Sequence, residues 1–559
     1  MRYPKEKIEE YRRTAGDLEN ELIDEYNAGH VTRRELFQRG SALGISLSFL
    51  ALLGGRSEAF AAAMRPTVRR SGGTLRVGSP SADGSLEPPL LQSLGALAVS
   101  HMAGEQLVFA DKNSVLRPQL ATSWKPSKGA KSWTFKIRQG VKFHDGTPMT
   151  VDDVVATFNR LLGPNSQALS SFNGVLSPGG VHKVDAQTVR FDLDSPNGFF
   201  PYLTSQMTYQ AIILPKSYQL PSDLSKPGEW TNTMNGTGPF VLKQNRGAAG
   251  YSFAANPNYW GGKPLIDDVE WSILDDQPRV TALQSGQIDL AVQVSYQGAL
   301  QLRGSQKVIP LQTANHRYLN MNVNVKPFND VRVRQAIALA LNRPQIVQGL
   351  WGPYAQLGND SPMWPGYVFT DRSVPQRHQD IAKAKALLKA AGATNLHLTL
   401  TCYQAFEMPD YAQRVAQALK KIGINCNVKV YTSTQYFNGN SFGAKPPLAP
   451  WLATNFGIVD YGHRAVPLTY LNAALRSHGV WNSARYHNKA FDKMIDNFQS
   501  ASGLREQKKW ARKMEETLLH DTPVIYAYFY NYIAATSPRV HNYVPDGISV
   551  VNLRGVSIS

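Results

Sequence analysis

The architecture of the chain follows from residues 381–431, which read IAKAKALLKAAGATNLHLTLTCYQAFEMPDYAQRVAQALKKIGINCNVKVY. Apolar residues recur at helical spacing in the first part, and Gly392 marks the end of that helix. The strand-like LHLTLTCY follows, then a second helix in YAQRVAQALKKIG and a second strand in INCNVKVY. Strands joined through a helix run parallel. The stretch is therefore typical of a β-α-β-α-β series, and it predicts an α/β fold with a parallel sheet.

A second stretch, residues 133–160, reads WTFKIRQGVKFHDGTPMTVDDVVATFNR. Its first residues alternate between apolar and polar, which predicts a half-buried strand. Thr150 stands at an N-cap position and the next turn is acidic, so a helix is expected there. His144 and Asp145 resemble a catalytic pair, but adjacent strand residues point to opposite faces of a sheet. A structural role is therefore favoured over a catalytic dyad.

Other segments add strands and helices to this outline. GGTLRVGS and HRYLNMNVN predict strands, and VRVRQAIALALNRPQIVQGL predicts a helix with a proline midway. Hairpins and turns are favoured especially in residues 112–260. The sequence thus indicates more than one α/β lobe, with an insertion rich in antiparallel strands.

The chain has 559 residues, enough for two or three domains, and contains two cysteines, Cys402 and Cys426. A disulfide framework and a cysteine zinc cluster are therefore excluded. If LHLTLTCY and INCNVKVY are neighbours that start level, Leu396 aligns with Ile424. Cys402 then lies about 13 Å further along than Cys426, at roughly 3.3 Å per residue. That offset exceeds the roughly 7 Å limit for a bridged pair, so both are predicted to be free, buried thiols.

Residues 1–63 have the character of an export signal. Arg33 and Arg34 are paired, an apolar run extends from Ala42 to Leu53, and small residues precede Met64. The pattern resembles a twin-arginine signal, and the run is too short and too rich in Gly and Ser for a stable membrane anchor. No cysteine for lipid attachment follows the run. The mature chain is expected to start between Ala61 and Arg65, although a leading helix of a cytoplasmic protein remains an alternative.

The formal net charge is +17 at pH 7. Nucleic-acid binding is one interpretation of so basic a chain. The basic residues are scattered among strands and turns, however, with no Lys/Arg run and no nucleic-acid module. The charge is therefore interpreted as a surface property, suited to contact with anionic membranes or cell wall.

Several phrases in order resemble the extracytoplasmic solute-binding proteins of the oligopeptide, dipeptide and nickel class that serve ABC transporters. The resemblance extends from about Gly72 to the C-terminus. The matching phrases are LATSWKPS from Leu120, WTFKIRQGVKFHDGTPMTVDDV from Trp133, GTGPFVL from Gly236, NPNYWGGKPLIDDVEWSIL from Asn256, RVTALQSGQIDL from Arg279, PFNDVRVRQAIALALNRPQIV from Pro327 and AKALLKAAG from Ala384.

The resemblance implies a two-lobe periplasmic-binding-protein fold of type II, cluster C-like, with an extra subdomain on lobe I. It places lobe I at 72–317 with the subdomain at about 112–250, lobe II at 318–524, and a return segment to lobe I at 525–559. The crossing segment between the lobes is expected to include Tyr318 to Asn322. In such proteins the ligand is enclosed as the lobes close.

The resemblance also suggests ligand-binding residues in LATNFGIVDYGHRAVPLTYL. In peptide-binding members, an aspartate followed by a tyrosine pairs with the α-amino group of the ligand, and Asp460 and Tyr461 match them. Gly457 stands where those members have a tryptophan, with Phe456 beside it, so the ligand class stays open. His463 and Arg464 suit an anionic group. The alternative is that Asp460 caps a turn and that His463 and Arg464 lie in solvent.

Further residues are expected to line the cleft. Asn482 and Arg485 lie at the start of a pattern that borders the cleft in the family, while Asp83 and Tyr296 fall in loops that line it. The expected function is to capture a peptide or another small amine-bearing solute and deliver it to the permease subunits of an ABC importer. The protein is expected to be a monomer that is not an enzyme, binds no nucleic acid, and works in the periplasm or extracytoplasmic space.

Two kinds of alternative stay open. Within the family, the solute is a nickel or other metal chelate, a sugar or an opine-like compound, although dispersed histidines give no compact metal site and neither a metal nor a cofactor is expected. Outside that role, the chain is a secreted hydrolase on the same scaffold. The nucleophile-elbow, P-loop, dinucleotide-binding and H-E-x-x-H motifs are all missing from the sequence, which favours a binding protein.

Overall fold

The computed structural model describes residues 3–54, 72–82, 84–439, 447–501 and 503–559. The described α-helices are α1 Tyr3–Thr14, α2 Asp17–Asn27, α3 Arg33–Ala42, α4 Leu47–Leu53, α5 Leu94–Ala103, α6 Val151–Leu161, α7 Leu169–Phe172, α8 Phe200–Leu203, α9 Glu229–Thr233, α10 Asp276–Gln284, α11 Tyr296–Leu302, α12 Val331–Ala340, α13 Arg343–Leu350, α14 Ile381–Ala390, α15 Met408–Lys420, α16 Ser433–Phe437, α17 Pro450–Ala453, α18 Leu468–Tyr470, α19 Lys489–Ser500 and α20 Leu504–Asp521. Short 3₁₀ turns lie at Pro88–Leu90, Lys128–Ala130, Gly247–Ala249 and Gly352–Tyr354, and a π-turn at Leu471–Leu475.

The strands form one large sheet and three small ones. They are β1 Thr74–Ser79, β2 Val108–Ala110, β3 Leu116–Pro118, β4 Ala121–Pro126, β5 Ser132–Ile137, β6 Val181–Asp185, β7 Thr188–Asp192, β8 Phe240–Asn245, β9 Tyr251–Ala255, β10 Asp268–Ile273, β11 Leu290–Ala291, β12 Lys307–Met321, β13 Ala355–Leu357, β14 His397–Tyr403, β15 Asn425–Tyr431, β16 Phe456–Tyr461, β17 Val524–Thr536, β18 Val540–His541 and β19 Ser557–Ile558. The large sheet has the order β15-β14-β16-β12-β17-β11-β1-β10-β9-β8, with β13 added to β17.

The long strands β12 and β17 run antiparallel to each other through the middle of this sheet. On one side lie β14, β15 and β16 of lobe II, and on the other lie β1 and β8–β11 of lobe I. The two crossing strands therefore join two α/β lobes, as the resemblance implied. The domain boundaries at 318 and 525 stay predictions.

Residues 381–431 fold as predicted. β14 and β15 pair in parallel, with His397 opposite Asn425, so the two strands do start level. Cys426 consequently lies opposite Leu398, whereas Cys402 lies four positions further along β14, opposite Val430. Both thiols are free. Cys402 is buried, but Cys426 is only half-buried. The predicted burial of Cys426 is wrong because β15 is the edge strand of the sheet.

Residues 133–160 also fold as expected. Trp133, Phe135 and Ile137 are buried on one face of β5, which belongs to an antiparallel sheet ordered β4-β5-β7-β6. Thr150 caps α6 in a capping box with Asp153. The ring nitrogens of His144 lie 3.1 and 3.0 Å from the carbonyl oxygens of Met234 and Gly238. His144 thus fixes a loop, which confirms the structural interpretation.

One local prediction needs correction. The segment with a proline midway forms two helices, α12 and α13, because Asn342 caps the second one and Pro344 occupies its first turn. In the apolar run Ala42–Leu53, α3 ends at Ala42 and α4 begins at Leu47. Among the described residues, no helix combines the length and apolarity needed to cross a membrane. The expected cleavage region, 61–65, lies outside the described residues.

Candidate functional site

The candidate site lies where β16 meets the crossing strands. β16 runs antiparallel to β12, and this register sets Asp460 directly opposite Arg317. β17 flanks β12 on its other edge and contributes Tyr530, whose ring lies 4.4 Å from the Arg317 guanidinium carbon. Three strands from distant parts of the chain therefore converge on one guanidinium group.

Arg317 is the centre of a buried charge cluster. Its Nε and Nη2 atoms donate to the Glu407 carboxylate over 2.8 and 2.7 Å, and Nη1 forms an ion pair with Asp460. Tyr530 donates its hydroxyl to Asp460 over 2.7 Å, and Tyr528 donates to Glu407 over 2.8 Å. These hydrogen bonds fix both carboxylates in place.

The cluster holds one more negative charge than positive. The Arg317 side chain is 1% exposed, against 10% for Glu407 and 17% for Asp460. Burial lowers the pKa of Arg317, but the two carboxylates raise it by more. The pKa therefore lies well above its ordinary value, and Arg317 stays charged. Burial raises the pKa of Asp460, although Arg317 opposes the shift. With both carboxylates ionised, one guanidinium between them leaves a formal net charge of −1, which suits a cation such as an ammonium group.

A second, oppositely charged feature lies four residues further on. Arg464 is buried, donates to the Tyr209 hydroxyl over 2.7 Å, and lies with its guanidinium carbon 4.2 Å from that ring. Among the described residues, no carboxylate lies within ion-pair distance of Arg464, and its Nε has no hydrogen-bond partner. A buried guanidinium without a carboxylate is costly, so Arg464 suits an anionic group of a ligand.

Arg464 also connects the two lobes. It follows β16 of lobe II, whereas Tyr209 belongs to the part of the chain assigned to lobe I. The adjacent Ala465 amide approaches the Met207 sulfur at 3.2 Å, which adds a second contact across the cleft. The lobes therefore touch at the loop that follows Asp460.

Three other predicted residues around Asp460 lie in packed surroundings. Phe456 is 2% exposed, with its ring centroid 5.3 Å from that of Phe328. A Cβ on Gly457 would lie 2.4 Å from Thr454 Cγ2, so a larger side chain does not fit in this strand. The Tyr461 ring is buried and stacked on the Trp481 ring, with 5.3 Å between the ring centroids.

His463 is also part of the interior. It is buried, and its Nδ1 accepts a hydrogen bond from the Ala314 amide over 3.0 Å. Burial and the neighbouring Arg464 lower the pKa of His463 to about 3, so the ring is neutral. Since an acceptor nitrogen on a neutral ring carries no positive charge, Arg464 is the cation of this pair.

Three of the remaining predicted residues make local structural contacts. Asn482 closes a turn by bonding the Tyr486 amide and carbonyl, and Arg485 donates to the Leu452 carbonyl over 3.1 Å. Tyr296 packs edge-on against Tyr354, with 5.9 Å between the ring centroids. Asp83 lies outside the described residues.

Five participants were not predicted from the sequence, and these are Arg317, Glu407, Tyr528, Tyr530 and Tyr209. A charged residue within the strand predicted at HRYLNMNVN is one signal that points to Arg317. The alternating tyrosines of YAYFYNY are another, because period-two residues share one face of a strand. No group of three or more potential metal ligands occurs among the residues that the structure describes.

Comparison with known proteins supports the resemblance to extracytoplasmic solute-binding proteins. A family model described as bacterial extracellular solute-binding proteins, family 5 Middle, matches residues 115–455. The Di/tripeptide-binding protein 2 of Pseudomonas aeruginosa is 30% identical over 420 residues, covering 69% of this chain and 76% of that protein.

Solved structures share the fold. The oligopeptide-binding protein AppA of Bacillus subtilis, in complex with a nonapeptide, superposes with a TM-score of 0.75 at 23% identity, covering 88% of this chain and all of that one. NikZ of Campylobacter jejuni, in complex with Ni(L-His), gives a TM-score of 0.72 at 20% identity, covering 87% of this chain and 99% of that one. These similarities support the two-lobe fold, and they come from proteins with different ligands.

Proposed function

Because this chain belongs to the bacterial extracellular solute-binding proteins of family 5, we propose that its solute is a short peptide with free ends. As a solute-binding component of an ABC importer, it captures that peptide between its lobes and passes it to the permease. We further propose that it acts as a monomer, without nucleic acid and without turning the peptide over.

The observation that carries the peptide proposal is a pair of opposite charges, with Asp460 near the end of β16 and Arg464 in the loop that follows it. With both carboxylates ionised, the cluster around Asp460 has an excess negative charge, and Arg464 is a buried cation with no carboxylate within ion-pair distance in the part of the chain that the structure describes. Four residues of extended chain span at most about 13 Å, which is comparable to an extended peptide of two to four residues. The ammonium group of a peptide at Asp460 neutralises the excess negative charge, and its carboxylate at Arg464 neutralises the positive charge.

The same geometry explains how binding favours closure. Asp460 and Arg464 belong to lobe II, and Arg464 bonds Tyr209 across the cleft. A ligand that neutralises Arg464 while touching the lobe I wall stabilises the closed arrangement relative to the open one. The closed arrangement is then the form that the permease recognises.

We expect both ends of the peptide to be required. Free peptides of two to five residues are screened by thermal shift, and the best binder is then compared with its N-acetylated and C-amidated forms by calorimetry. Each cap leaves one buried charge of the protein unpaired, which costs about 2–5 kcal/mol, or roughly 30- to 3,000-fold in affinity. Capped peptides that bind as tightly as the free one would contradict the proposal.

The screen also tests the other ligand classes. Sugars, opine-like compounds, free amines and a nickel–histidine chelate are included beside the peptides. Ligand recovered after binding is analysed by mass spectrometry, and intact peptide is expected. Cleaved peptide would favour the secreted hydrolase, and exclusive binding of a chelate would favour a metal-uptake role.

We propose that residues 1–63 direct export through a twin-arginine-type signal and are removed afterwards. Changing Arg33 and Arg34 to lysine is expected to retain the precursor in the cytoplasm, because the paired guanidinium groups are the recognised feature of such signals. Cell fractionation measures the distribution, and N-terminal sequencing of the exported protein is expected to start between Ala61 and Arg65. Exported protein with an intact Met1 would be incompatible with cleavage.

A further inference from the structure

Residues 3–54, named here the leader segment, form four helices that pack on the rest of the protein. Leu22, Ile23, Leu36 and Leu50 are fully buried. Arg34, in contrast, remains exposed at the start of α3. The leader segment is therefore docked through its apolar residues while part of its arginine pair faces solvent.

One set of contacts ties the leader segment to lobe I. Ser41 Oγ accepts a hydrogen bond from the Leu116 amide over 2.9 Å, and Trp124 donates its ring N–H to the Ser41 carbonyl over 3.1 Å. Gly44 has a φ of +87°, and a Cβ there would lie 1.8 Å from the Trp124 carbonyl oxygen. Only glycine permits this close approach.

A second set ties the leader segment to lobe II. Glu25 Oε1 accepts a hydrogen bond from the Leu504 amide over 3.0 Å, at the N-terminus of the 18-residue helix α20. A carboxylate is favourable there because the first amides of a helix lack partners and the helix dipole is positive. Arg39 pairs with Glu25, and Lys508 of α20 lies 3.4 Å from Glu35. The two sets of contacts therefore bridge the lobes.

A cavity of about 590 Å³ lies under the leader segment. Its walls come from the leader segment at Leu43, from lobe I at Tyr202, and from lobe II at Tyr367 and Ala465. Ala465 directly follows Arg464, and Tyr367 donates its hydroxyl to the Arg464 carbonyl over 2.8 Å. The leader segment thus covers the cleft beside the proposed peptide site.

We infer that the leader segment is a strap that holds the two lobes closed for as long as it remains attached. Its removal at export frees the hinge, so that solute exchange begins only outside the cytoplasm. Docking and closure are independent of the ligand, whereas the effect on solute exchange rests on the proposed function.

The test compares two glycine substitutions in the full-length chain. Gly44→Ala places a Cβ against the Trp124 carbonyl, whereas Gly29→Ala introduces alanine at a similar positive φ of +74° with no atom within 4 Å. Both changes strain the leader backbone, but only the first opposes docking on the body. Gly29→Ala is therefore the matched control.

The exchange rates of three backbone amides are measured by hydrogen–deuterium exchange. Leu116 reports docking on lobe I, Leu504 reports docking on lobe II, and Gly198, which bonds the Gln499 carbonyl over 3.3 Å, reports contact between the lobes. Gly44→Ala is expected to accelerate exchange at all three by about tenfold or more, and Gly29→Ala by less than about twofold. Unchanged protection in β17 shows that the body stays folded.

Other outcomes would overturn the inference. Unchanged exchange at Leu116 and Leu504 would mean that the leader segment is not docked. Faster exchange at those two amides with an unchanged Gly198 would mean that it is docked but does not hold the lobes. Association kinetics of the best peptide from the screen, expected to be about tenfold faster for Gly44→Ala, test solute exchange. If no peptide binds, the proposed function fails while the exchange data still decide the strap.

Discussion

Replacing Arg317 with methionine is expected to lower the free energy of unfolding by about 3–5 kcal/mol at pH 8, the cost of leaving buried charges without their partner. The side chain is 1% exposed and is the only cation paired with Asp460 and Glu407 among the described residues. Methionine has a similar volume and is apolar, so the loss reports mainly charge rather than a cavity. Guanidinium chloride unfolding followed by circular dichroism measures the change.

The pH dependence of this variant has a defined sign. Burial already raises the pKa of Asp460, and without Arg317 that shift is no longer opposed, so the pKa lies further above the value of about 3.9 in the unfolded chain. The folded state then binds this proton more tightly than the unfolded state, so the free energy of unfolding falls as the pH rises through the raised pKa of Asp460. The deficit relative to the unmodified protein is therefore expected to be smaller at pH 4.5 than at pH 8.

Arg512→Met is the control for this prediction. Arg512 is 49% exposed and pairs with Glu516 one helical turn away on α20, over 2.8 Å. Exposed pairs of this kind contribute about 0.3–0.5 kcal/mol, so little change is expected at either pH. If Arg317→Met lost no more stability than Arg512→Met, the cluster would not be the buried network described here.

Replacing Asp460 with asparagine is expected to weaken peptide binding by roughly 30- to 3,000-fold, because the ligand ammonium loses its desolvated carboxylate partner. The stability of the unliganded protein is not expected to fall in parallel with peptide affinity. Arg317 keeps Glu407, and the excess negative charge disappears, so the stability of the unliganded protein is expected to stay within about 1 kcal/mol or to rise. Calorimetry and chemical unfolding measure the two effects separately.

Two comparisons make this prediction specific. Asp410→Asn removes an exposed carboxylate from the first turn of α15 and is expected to leave peptide affinity unchanged. Arg464→Gln is expected to weaken binding of the free peptide but not of its C-amidated form, which lacks the carboxylate. Equal affinities of Asp460→Asn and the unmodified protein would exclude Asp460 as the ammonium partner.

The sequence was sufficient to predict those features that depend on residues close together in the chain. The alternation in residues 133–137, the cap at Thr150 and the parallel direction of β14 and β15 all follow from local spacing. A strand face, a helix cap or a connection through one helix is specified within a few residues. Asp460 was selected as a candidate ligand-binding residue from the resemblance to a family rather than from the residues alone.

Only the tertiary structure decided which residues meet. Arg317 pairs with Glu407 and Asp460, which lie 90 and 143 positions further along the chain, and Arg464 meets Tyr209 across the cleft. Local pattern specifies which face of a strand is buried, but the neighbour of that strand depends on how the whole sheet is ordered. The burial of Cys426 was predicted wrongly for the same reason, since no local pattern distinguishes an edge strand from a central one.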